Sequence, residues 1–335
     1  MKHIFIIHSH TLLLTSLGVI NKLKLNKEDV IFLFHRHYKT VIPFDYKWID
    51  ISEEFEKTYY ILFSWSRKHF KLDRKQRQAS LDYFDRLVDE NVSDGFYLYI
   101  PHLQAFAYQI LATNSKCQEV FFVQEGGRNM LSCLTDKVSL VWRMYNRFVM
   151  RNDNRLWKCT NWFPNDKTPY NKKVKVYSFD TSYYSTEMPK ENIHIDWPSI
   201  DVDVDINTEY PMFLLDGGVE LGQVELHVYN KALKKMINEC AEEENYIKFH
   251  PMQSNERKME IKAMFSAIGK KLEELPVDIP FELIVVKYKN LKLFGFGTSL
   301  MFYGKANGHQ VVSYEKELME SRRYRMYSKD LPKLY

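Results

Sequence analysis

The chain has 335 residues, of which 45% are hydrophobic and 27% are charged. This composition is typical of a globular protein and excludes a chain that is disordered over most of its length. A chain this long exceeds the usual size of one hydrophobic core, so we expect two domains with a cleft between them. The formal net charge of +4 is modest and does not indicate a nucleic-acid partner.

Cysteine usage and hydropathy indicate the compartment. The four cysteines form no C-x-x-C pair, so neither a zinc site nor a disulfide framework is predicted, and a reducing, cytoplasmic location is expected. The N-terminus resembles a secretory signal, but His8, Ser9 and His10 interrupt its apolar run. No apolar stretch reaches the ~18 to 20 residues of a membrane-spanning helix. A basic C-terminal region could make a peripheral contact with an anionic inner membrane, although a solvated tail is the commoner interpretation.

Strand and helix patterns alternate along the first half, which favours βαβ units. The expected elements are a strand at 3–8, a helix to Leu25, a strand at 30–35, a helix over 68–92, a strand at 96–100, a helix over 102–113 and a strand at 119–123. The last strand ends at Gln124, Glu125 and two glycines. Because ligands of open α/β sheets bind beyond the carboxyl ends of strands, this turn is a candidate site.

A looser, proline-containing stretch separates the two halves, with one further strand expected at 173–179. The second half is expected to contain a strand at 211–215, a helix over 225–244, the strand YIKF at 246–249, a helix to Leu275, strands at 281–286 and 291–297, and a helix over 314–323. We therefore predict an α/β fold with domains at 1–180 and 210–313, a connection at 181–209 and a C-terminal helix and tail at 314–335.

Three short clusters follow predicted strands: Glu125-Gly126-Gly127, His250-Pro251 and Thr298-Ser299. Singly, each has a structural interpretation as a turn, a strand terminator or a helix cap. Together they supply a carboxylate base, an imidazole able to give a proton or a positive charge near neutral pH, and hydroxyls that bind a phosphate at a helix start. Transfer of a glycosyl group from a nucleotide donor needs this combination.

These clusters, in this order, resemble the D/E-D/E-G, H-P and S-S/T motifs of bacterial sialyltransferases, a group similar to glycosyltransferase family 52. The surroundings agree as well, because a basic residue precedes the H-P pair in Lys248-Phe249-His250-Pro251, and a Pro-x-Glu segment follows at 280–282. The resemblance covers 210–305 most clearly. It implies a GT-B fold, in which two Rossmann-like domains face a central cleft, and a donor-dependent, inverting transfer of sialic acid.

The resemblance assigns a role to each motif residue. Glu125 would be the general base, and His250 would act on the departing phosphate, which Gly297, Thr298 and Ser299 would hold. Glu282 would bind the ribose hydroxyls, and Lys248 with Pro251 would lie beside the cytosine of CMP-Neu5Ac. No cofactor and no metal are implied. One position departs from the motif, because Gln124 stands where a carboxylate is expected.

The acceptor implied by the resemblance is a galactose-terminated glycan of the bacterial surface, an O-antigen or a lipooligosaccharide, with an α2,3 linkage favoured. A polysialyltransferase or a transferase of another nonulosonate is the alternative, and a homodimer is compatible with the family. On the acceptor side the candidates are His8, His10, Thr11, Gly126 and Arg128.

Three rival functions remain open on the sequence. Asp201, Asp203 and Asp205 have the D-x-D spacing that holds a divalent cation in GT-A transferases, although a solvated edge strand explains the same alternation. His8 with His10 and His35 with His37 have the spacing of one strand face, as a metal hydrolase could use, yet no carboxylate completes a metal site. The favoured interpretation places His8 and His10 at the end of the first strand and His35 and His37 beside the end of a second strand. A domain that binds glycan without turnover is the alternative from another class.

Overall fold

The computed structural model describes residues 1–40, 42, 45–63, 73–103, 105–126, 174–179, 190–198, 200–201, 203–276 and 279–328. The chain divides into two compact units. The first unit comprises Met1–Glu125 and Ser132–Pro198, and the second comprises Gly126–Leu131 and Ser199–Tyr335. Across the described residues, no helix is both long enough and apolar enough to cross a bilayer.

The first unit is built on a parallel sheet of seven strands in the order β3-β2-β1-β4-β5-β6-β7. The strands are β1 (Lys2–Ile7), β2 (Val30–Phe34), β3 (Lys47–Asp50), β4 (Phe96–Ile100), β5 (Cys117–Val123), β6 (Val174–Ser178) and β7 (Lys190–His194). The order reverses direction between β1 and β4, which is the switch point where ligands bind in doubly wound folds. The carboxyl ends of these strands lie along one edge of the sheet.

Four helices of the first unit are described. They are α1 (His10–Leu23), α2 (Ser52–Phe63), α3 (Asp73–Asn91) and α4 (Phe106–Ala112). Helix α1 begins where the Ser9 hydroxyl accepts the N–H of Leu12, and it ends at Lys24 in the left-handed conformation. The central strands read as nearly continuous apolar runs, as expected of a parallel sheet that is covered on both faces.

The second unit contains a parallel sheet of five strands in the order β10-β9-β8-β11-β12. The strands are β8 (Met212–Leu214), β9 (Glu244–Lys248), β10 (Lys271–Glu274), β11 (Lys292–Gly295) and β12 (Gln310–Ser313). The described helices of this unit are α5 (Leu226–Cys240), α6 (Asn255–Ser266), α7 (Phe281–Lys287), α8 (Ser299–Ala306) and α9 (Arg322–Tyr327). This sheet has its own switch point, between β8 and β11.

Helix α5 shows how the core of the second unit forms. Its buried residues recur at helical spacing, and they pack on Phe213, Ile247 and Phe265 around one hydrophobic cluster. Gly295 has no side chain because the neighbouring strand leaves no room for one: a Cβ there would lie 2.4 Å from the Leu214 carbonyl oxygen. The close pairing of β11 with β8 therefore requires glycine at this position.

The sequence pattern missed or misassigned several elements. Strands β3, β7, β10 and β12 lie at or near the sheet edges, and short sequences such as KWID and KENIH carry no continuous apolar run. The apolar run FELIVV is helix α7 rather than the predicted strand, because a short buried run has no periodicity that separates the two structures. The C-terminal helix predicted over 314–323 is a 3-10 helix at Glu315–Glu320 followed by α9. Strand β7, in the predicted connection 181–209, pairs with β6 in the first sheet.

Candidate functional site

In the first unit, polar side chains gather at the carboxyl ends of four strands. His8 follows β1, His35 follows β2, His102 comes two residues after β4, and Glu125 comes two residues after β5. With Tyr108 from α4 these residues form a group that we call the Glu125 cluster. Its rings are in mutual contact, with ring centroids 4.8 Å apart for His8 and His35 and 5.2 Å apart for His102 and Tyr108. The cluster lies at the switch point, where the strand order predicts a ligand.

Glu125 is the carboxylate of this cluster. Its side chain is 16% exposed, and its Oε2 lies 3.5 Å from Nε2 of His8. Burial raises the pKa of Glu125 to about 7, and the positive charge of Arg36 limits the rise. Within the described residues Oε2 has no hydrogen-bond partner. A carboxylate with these properties takes up or releases a proton near neutral pH and has an oxygen available to a ligand.

The three histidines of the Glu125 cluster are neutral at neutral pH. Burial lowers the pKa of His102 to about 3, and it lowers the pKa values of His8 and His35 well below 6.5. Arg36 acts in the same direction on all three. Neutral imidazoles can accept or donate hydrogen bonds here without competing with Glu125 for a proton.

Gln124 lies outside the cluster. Its side chain is fully buried and accepts a hydrogen bond from the Ser178 hydroxyl, and its N–H donates to the Tyr177 carbonyl at 3.0 Å. Gln124 thus ties the end of β5 to β6, while the next residue presents its carboxylate to the cluster. Glu125 is therefore the residue of this turn whose carboxylate reaches the cluster.

The other residues predicted on the acceptor side have separate positions. Nδ1 of His10 lies 2.7 Å from the Tyr38 hydroxyl. Which of the two donates the hydrogen bond depends on the His10 tautomer. Thr11 is buried in the first turn of α1, where its carbonyl accepts from Thr15 at 2.7 Å. Gly126 directly follows Glu125 in the sequence. Arg128 lies outside the described residues.

His35 and His37 do not share one strand face, but both follow shortly after the end of β2, as the favoured interpretation expects. Strand β2 ends at Phe34, and Arg36 and His37 both have positive φ angles, so the chain turns between the two histidines. His35 is fully buried, whereas the His37 side chain is 63% exposed and lies 3.4 Å from Glu56. Side chains at positions i and i+2 lie on the same face only while the backbone stays extended.

In the second unit, the ends of β8, β9 and β11 meet at one edge of the sheet. Leu214 pairs with Lys248 on one side and with Gly295 on the other. The residues that follow are therefore neighbours: the loop Asp216-Gly217-Gly218 after β8, His250 after β9, and Thr298 after β11. Two of the clusters that the sequence singled out, His250-Pro251 and Thr298-Ser299, follow strands that end at this edge.

His250 packs against the loop after β8. A Cβ placed on Gly217 would lie 2.7 Å from Nδ1 of His250, so glycine is needed there for the ring to fit. The Met252 N–H donates to His250 Nδ1 at 3.2 Å. Burial lowers the pKa of His250, and the charge of Glu220 opposes this effect. The ring is thus neutral at neutral pH, with its hydrogen on Nε2, whereas the sequence also allowed a positive charge.

Thr298 caps the helix that follows β11. Its hydroxyl accepts the Met301 N–H at 3.4 Å, and Ser299 opens α8. Both residues are partly exposed, and Gly297 is buried beside them. The predicted helix start after the hydroxyl pair is confirmed. Free N–H groups at a helix start favour an anion.

The remaining residues predicted on the donor side occupy distinct environments. The Lys248 ammonium donates to the carbonyls of Pro276 and Ile279, two residues that precede α7. Glu282 is buried in the first turn of α7. Pro251 is exposed beside His250. Lys248 thus has a structural task that the sequence did not indicate.

The acidic run at Asp201, Asp203 and Asp205 does not form the predicted edge strand. These three residues are exposed and lie outside regular structure, and Asp201 pairs with Lys287 at 3.2 Å. The backbone beside them is held by Tyr288, whose hydroxyl donates to the Val204 carbonyl at 2.6 Å. Over the ranges that the structure describes, no group of three or more metal-binding side chains is found.

Sequence reasoning missed four residues of these sites. Tyr108, Arg36 and Gly217 lie in segments that showed no motif. His35 was considered only for metal binding and as a residue beside a strand end. The strand order supplies the missing signal for His35, Arg36 and Gly217, because the residues after β2 and β8 reach the same edges as the motif residues.

Comparison with known proteins shows the fold. No protein-family model matches the chain, and no curated protein matches it significantly. The spinosyn rhamnosyltransferase SpnG, solved with thymidine diphosphate, is similar over 97% of this chain and 83% of its own, at 9% identity and a TM-score of 0.50. The UDP-GlcNAc 2-epimerase of Methanocaldococcus jannaschii is similar over 96% and 91%, at 10% identity and a TM-score of 0.49.

The likeness to SpnG, at such low identity, is a likeness of fold alone. With the two parallel sheets, it confirms the predicted α/β fold of two Rossmann-like units, the GT-B class.

Proposed function

We propose that this protein is a glycosyltransferase, and more narrowly an inverting, metal-independent sialyltransferase that uses CMP-Neu5Ac. The acceptor is a galactose-terminated glycan of the bacterial surface, with an α2,3 linkage favoured. The GT-B fold supports the broad class, since SpnG, which shares it, is a rhamnosyltransferase solved with a nucleoside diphosphate. The narrower proposal is supported by the motif residues around Glu125, His250 and Thr298.

The observation that carries the proposal is the state of Glu125. Its carboxylate is buried among neutral histidines, its pKa is raised to about 7, and its Oε2 is unpartnered within the described residues. A base with a pKa near the working pH combines a useful ionised fraction with enough basicity to take a hydroxyl proton. A carboxylate that only stabilised the fold would be paired.

In the proposed reaction, the acceptor oxygen forms a bond to the anomeric carbon while its proton passes to Glu125. The bond from that carbon to the phosphate oxygen breaks, and CMP leaves with the electron pair. The hydrogen on Nε2 of His250 stabilises the charge that develops on the phosphate, and so do Thr298, Ser299 and the N–H groups at the start of α8. The anomeric configuration inverts because attack and departure occur on opposite faces.

The donor is held by the second unit in this proposal. Glu282 binds the ribose hydroxyls, Lys248 and Pro251 border the cytosine, and Gly297 lets the phosphate approach the backbone. On the acceptor side His8 lies beside the base, with His10, Thr11, Gly126 and Arg128 as further candidates. Each group acts through its own protons and hydrogen bonds, so neither a metal nor a cofactor is required.

The proposal also includes the cellular location of the enzyme. CMP-sugars are made in the cytoplasm, so we place the enzyme there, with a peripheral contact to the inner membrane through its basic C-terminal region. A polysialyltransferase is the alternative within the class. A homodimer belongs to the same proposal.

The experiment measures CMP release from CMP-Neu5Ac in EDTA, with and without lactose, and determines the linkage of the product by NMR. The variants are Glu125→Ala and His250→Ala. Their matched controls are Glu119→Gln, a partly exposed carboxylate of β5, and His227→Ala, an exposed histidine of α5. Lactose-dependent release that persists in EDTA, is lost in the two site variants and is kept in the controls supports the proposal.

Other outcomes count against it. Release only after Mn²⁺ is added, with a nucleoside diphosphate sugar as donor, would favour the Asp201–Asp205 alternative. Thermal protection by CMP with no turnover of any donor would favour a protein that binds without catalysis.

A further inference from the structure

Three buried nitrogen and oxygen atoms of the Glu125 cluster have no hydrogen-bond partner within the described residues. They are Nδ1 of His8, Nδ1 of His35 and Oε2 of Glu125. Leaving one buried polar group unpaired costs about 1 to 3 kcal/mol. Three such atoms in one cluster, on rings 4.8 Å apart and a carboxylate 3.5 Å from His8, indicate a place where a polar ligand completes the hydrogen bonds.

Contacts with Tyr108 and Phe55 fix the orientation of the His35 ring. Its Nε2 lies 2.7 Å from the Tyr108 hydroxyl, and its ring stacks on Phe55 with centroids 3.7 Å apart. Both His35 and Tyr108 are fully buried. These two contacts hold the ring in place, and its second nitrogen, Nδ1, is buried without a hydrogen-bond partner within the described residues.

The hydrogen bond between His35 and Tyr108 has Nε2 or the hydroxyl as its donor, depending on the tautomer of His35. We assign the hydroxyl as the donor, because within the described residues the Tyr108 hydroxyl bonds to His35 and would otherwise leave its one hydrogen unpaired. Burial lowers the pKa of His35 well below 6.5, which leaves a single ring hydrogen. That hydrogen is on Nδ1, so His35 offers a donor where Glu125 offers an acceptor.

A donor and an acceptor at fixed positions match two hydroxyls of one sugar. The hydroxyl that is attacked gives its proton to Glu125, and a neighbouring hydroxyl oxygen can accept from His35. Hydroxyl recognition of this kind discriminates strongly, because a substrate without the hydroxyl leaves the buried donor unpaired.

We propose that His35 is a specificity-determining residue that donates from Nδ1 to a second hydroxyl of the acceptor sugar, with Tyr108 as the residue that positions it. This inference rests on the proposed function, and it names how the acceptor is selected. It predicts that the enzyme requires a second hydroxyl next to the attacked one.

The test compares monodeoxy galactosides as acceptors in the parent protein, His35→Phe and Tyr108→Phe. In the parent, removal of one particular hydroxyl next to the attacked position lowers kcat/KM roughly tenfold or more. In His35→Phe this penalty disappears, because the donor is already missing. In Tyr108→Phe it shrinks, because Nδ1 no longer keeps its hydrogen.

The chain offers a matched control. His3 Nδ1 lies 3.0 Å from the Tyr99 hydroxyl in the same sheet, so Tyr99→Phe removes a similar hydrogen bond away from the cluster and leaves the deoxy penalty unchanged. A purely structural His35 would instead lower the rate with every acceptor by the same factor. An equal penalty in the parent and His35→Phe, or no penalty for any deoxy acceptor, overturns the inference.

Acceptor binding without donor separates this inference from the proposed function. Saturation-transfer NMR with the same galactosides measures the preference for each hydroxyl directly. If no CMP-sugar is ever turned over, the sialyltransferase proposal fails, while a hydroxyl preference that depends on His35 still supports the binding role. If transfer occurs but His35→Phe keeps the parent's preference, only the inference about His35 fails.

Discussion

The Nδ1 atom of His250 lies 2.7 Å from the point where a Cβ would stand on Gly217. Alanine at this position forces the imidazole away from the Met252 N–H that fixes its tautomer. We expect Gly217→Ala to lower kcat at least tenfold in the CMP-release assay, since small displacements of a reacting group are costly. The far-ultraviolet circular dichroism spectrum should be unchanged.

The control for this variant is Gly218→Ala. Its added Cβ meets Asp216 and Val224 rather than His250, so most of the activity should remain. Equal losses in the two variants would mean that the loop tolerates no side chain and that the contact with His250 has no special role.

The pH dependence of activity should follow Glu125. The base must be ionised, and burial raises its pKa to about 7, so kcat/KM should rise with pH and level off above that value. His250 is neutral over this range because burial lowers its pKa, so no fall at alkaline pH is expected from it. A bell-shaped profile with a falling limb that disappears in His250→Gln would show instead that a charged imidazole is the acid.

Stability should change with pH in a way that Glu125→Gln removes. The folded-state pKa of Glu125 is raised from 4.5 to about 7, so folding binds the proton more tightly. The parent then loses stability as pH rises from about 4.5 to 7, by about 3 kcal/mol for this shift. We expect the Tm of Glu125→Gln relative to the parent to be higher at pH 8 than at pH 4.

The matched control is Glu119→Gln, whose partly exposed carboxylate lies 3.6 Å from Lys175. Its Tm should differ from that of the parent by a similar small amount at both pH values. If Glu125→Gln behaves in the same way, the Glu125 carboxylate is not buried as described.

The helix cap at Thr298 gives a prediction about stability. Thr298→Ala removes the hydroxyl that accepts the Met301 N–H and should lower the free energy of unfolding by about 1 kcal/mol, whereas Thr298→Ser should restore most of it. Urea denaturation followed by circular dichroism measures both. Under the proposed function, protection by CMP should be weaker in Thr298→Ala than in Thr298→Ser; equal protection would remove Thr298 from the phosphate site.

Much of the fold could be predicted from the sequence because its central strands are apolar and sit between helices. VIFLF and FYLYI are strands within one residue of the expected limits. The edge strand Lys47–Asp50 could not be predicted in this way, because it is largely exposed and buries no apolar run. Backbone pairing with β2 makes this segment a strand, although its own sequence does not indicate one.

The candidate sites were predictable only in part, for a similar reason. Glu125 and His250 stand in short motifs, and the sequence places them after strands. Tyr108 lies in an apolar helix with no polar motif around it, and its role depends on a partner 73 residues earlier, His35. Contacts between elements far apart in sequence require the strand order, which periodicity does not provide.

The position of β6 has a consequence for how the Glu125 cluster forms during synthesis. Strand β5 pairs with β4 on one side, while its other side pairs with residues 174–178, which follow much later in the chain. Until those residues leave the ribosome, β5 is an edge strand with unpaired backbone groups. Gln124 likewise gains its bonds to Tyr177 and Ser178 only then. A nascent chain that stops before residue 174 should therefore expose β5 as an unpaired, aggregation-prone edge strand next to Glu125. Chaperone binding to the nascent chain should be strongest at that length.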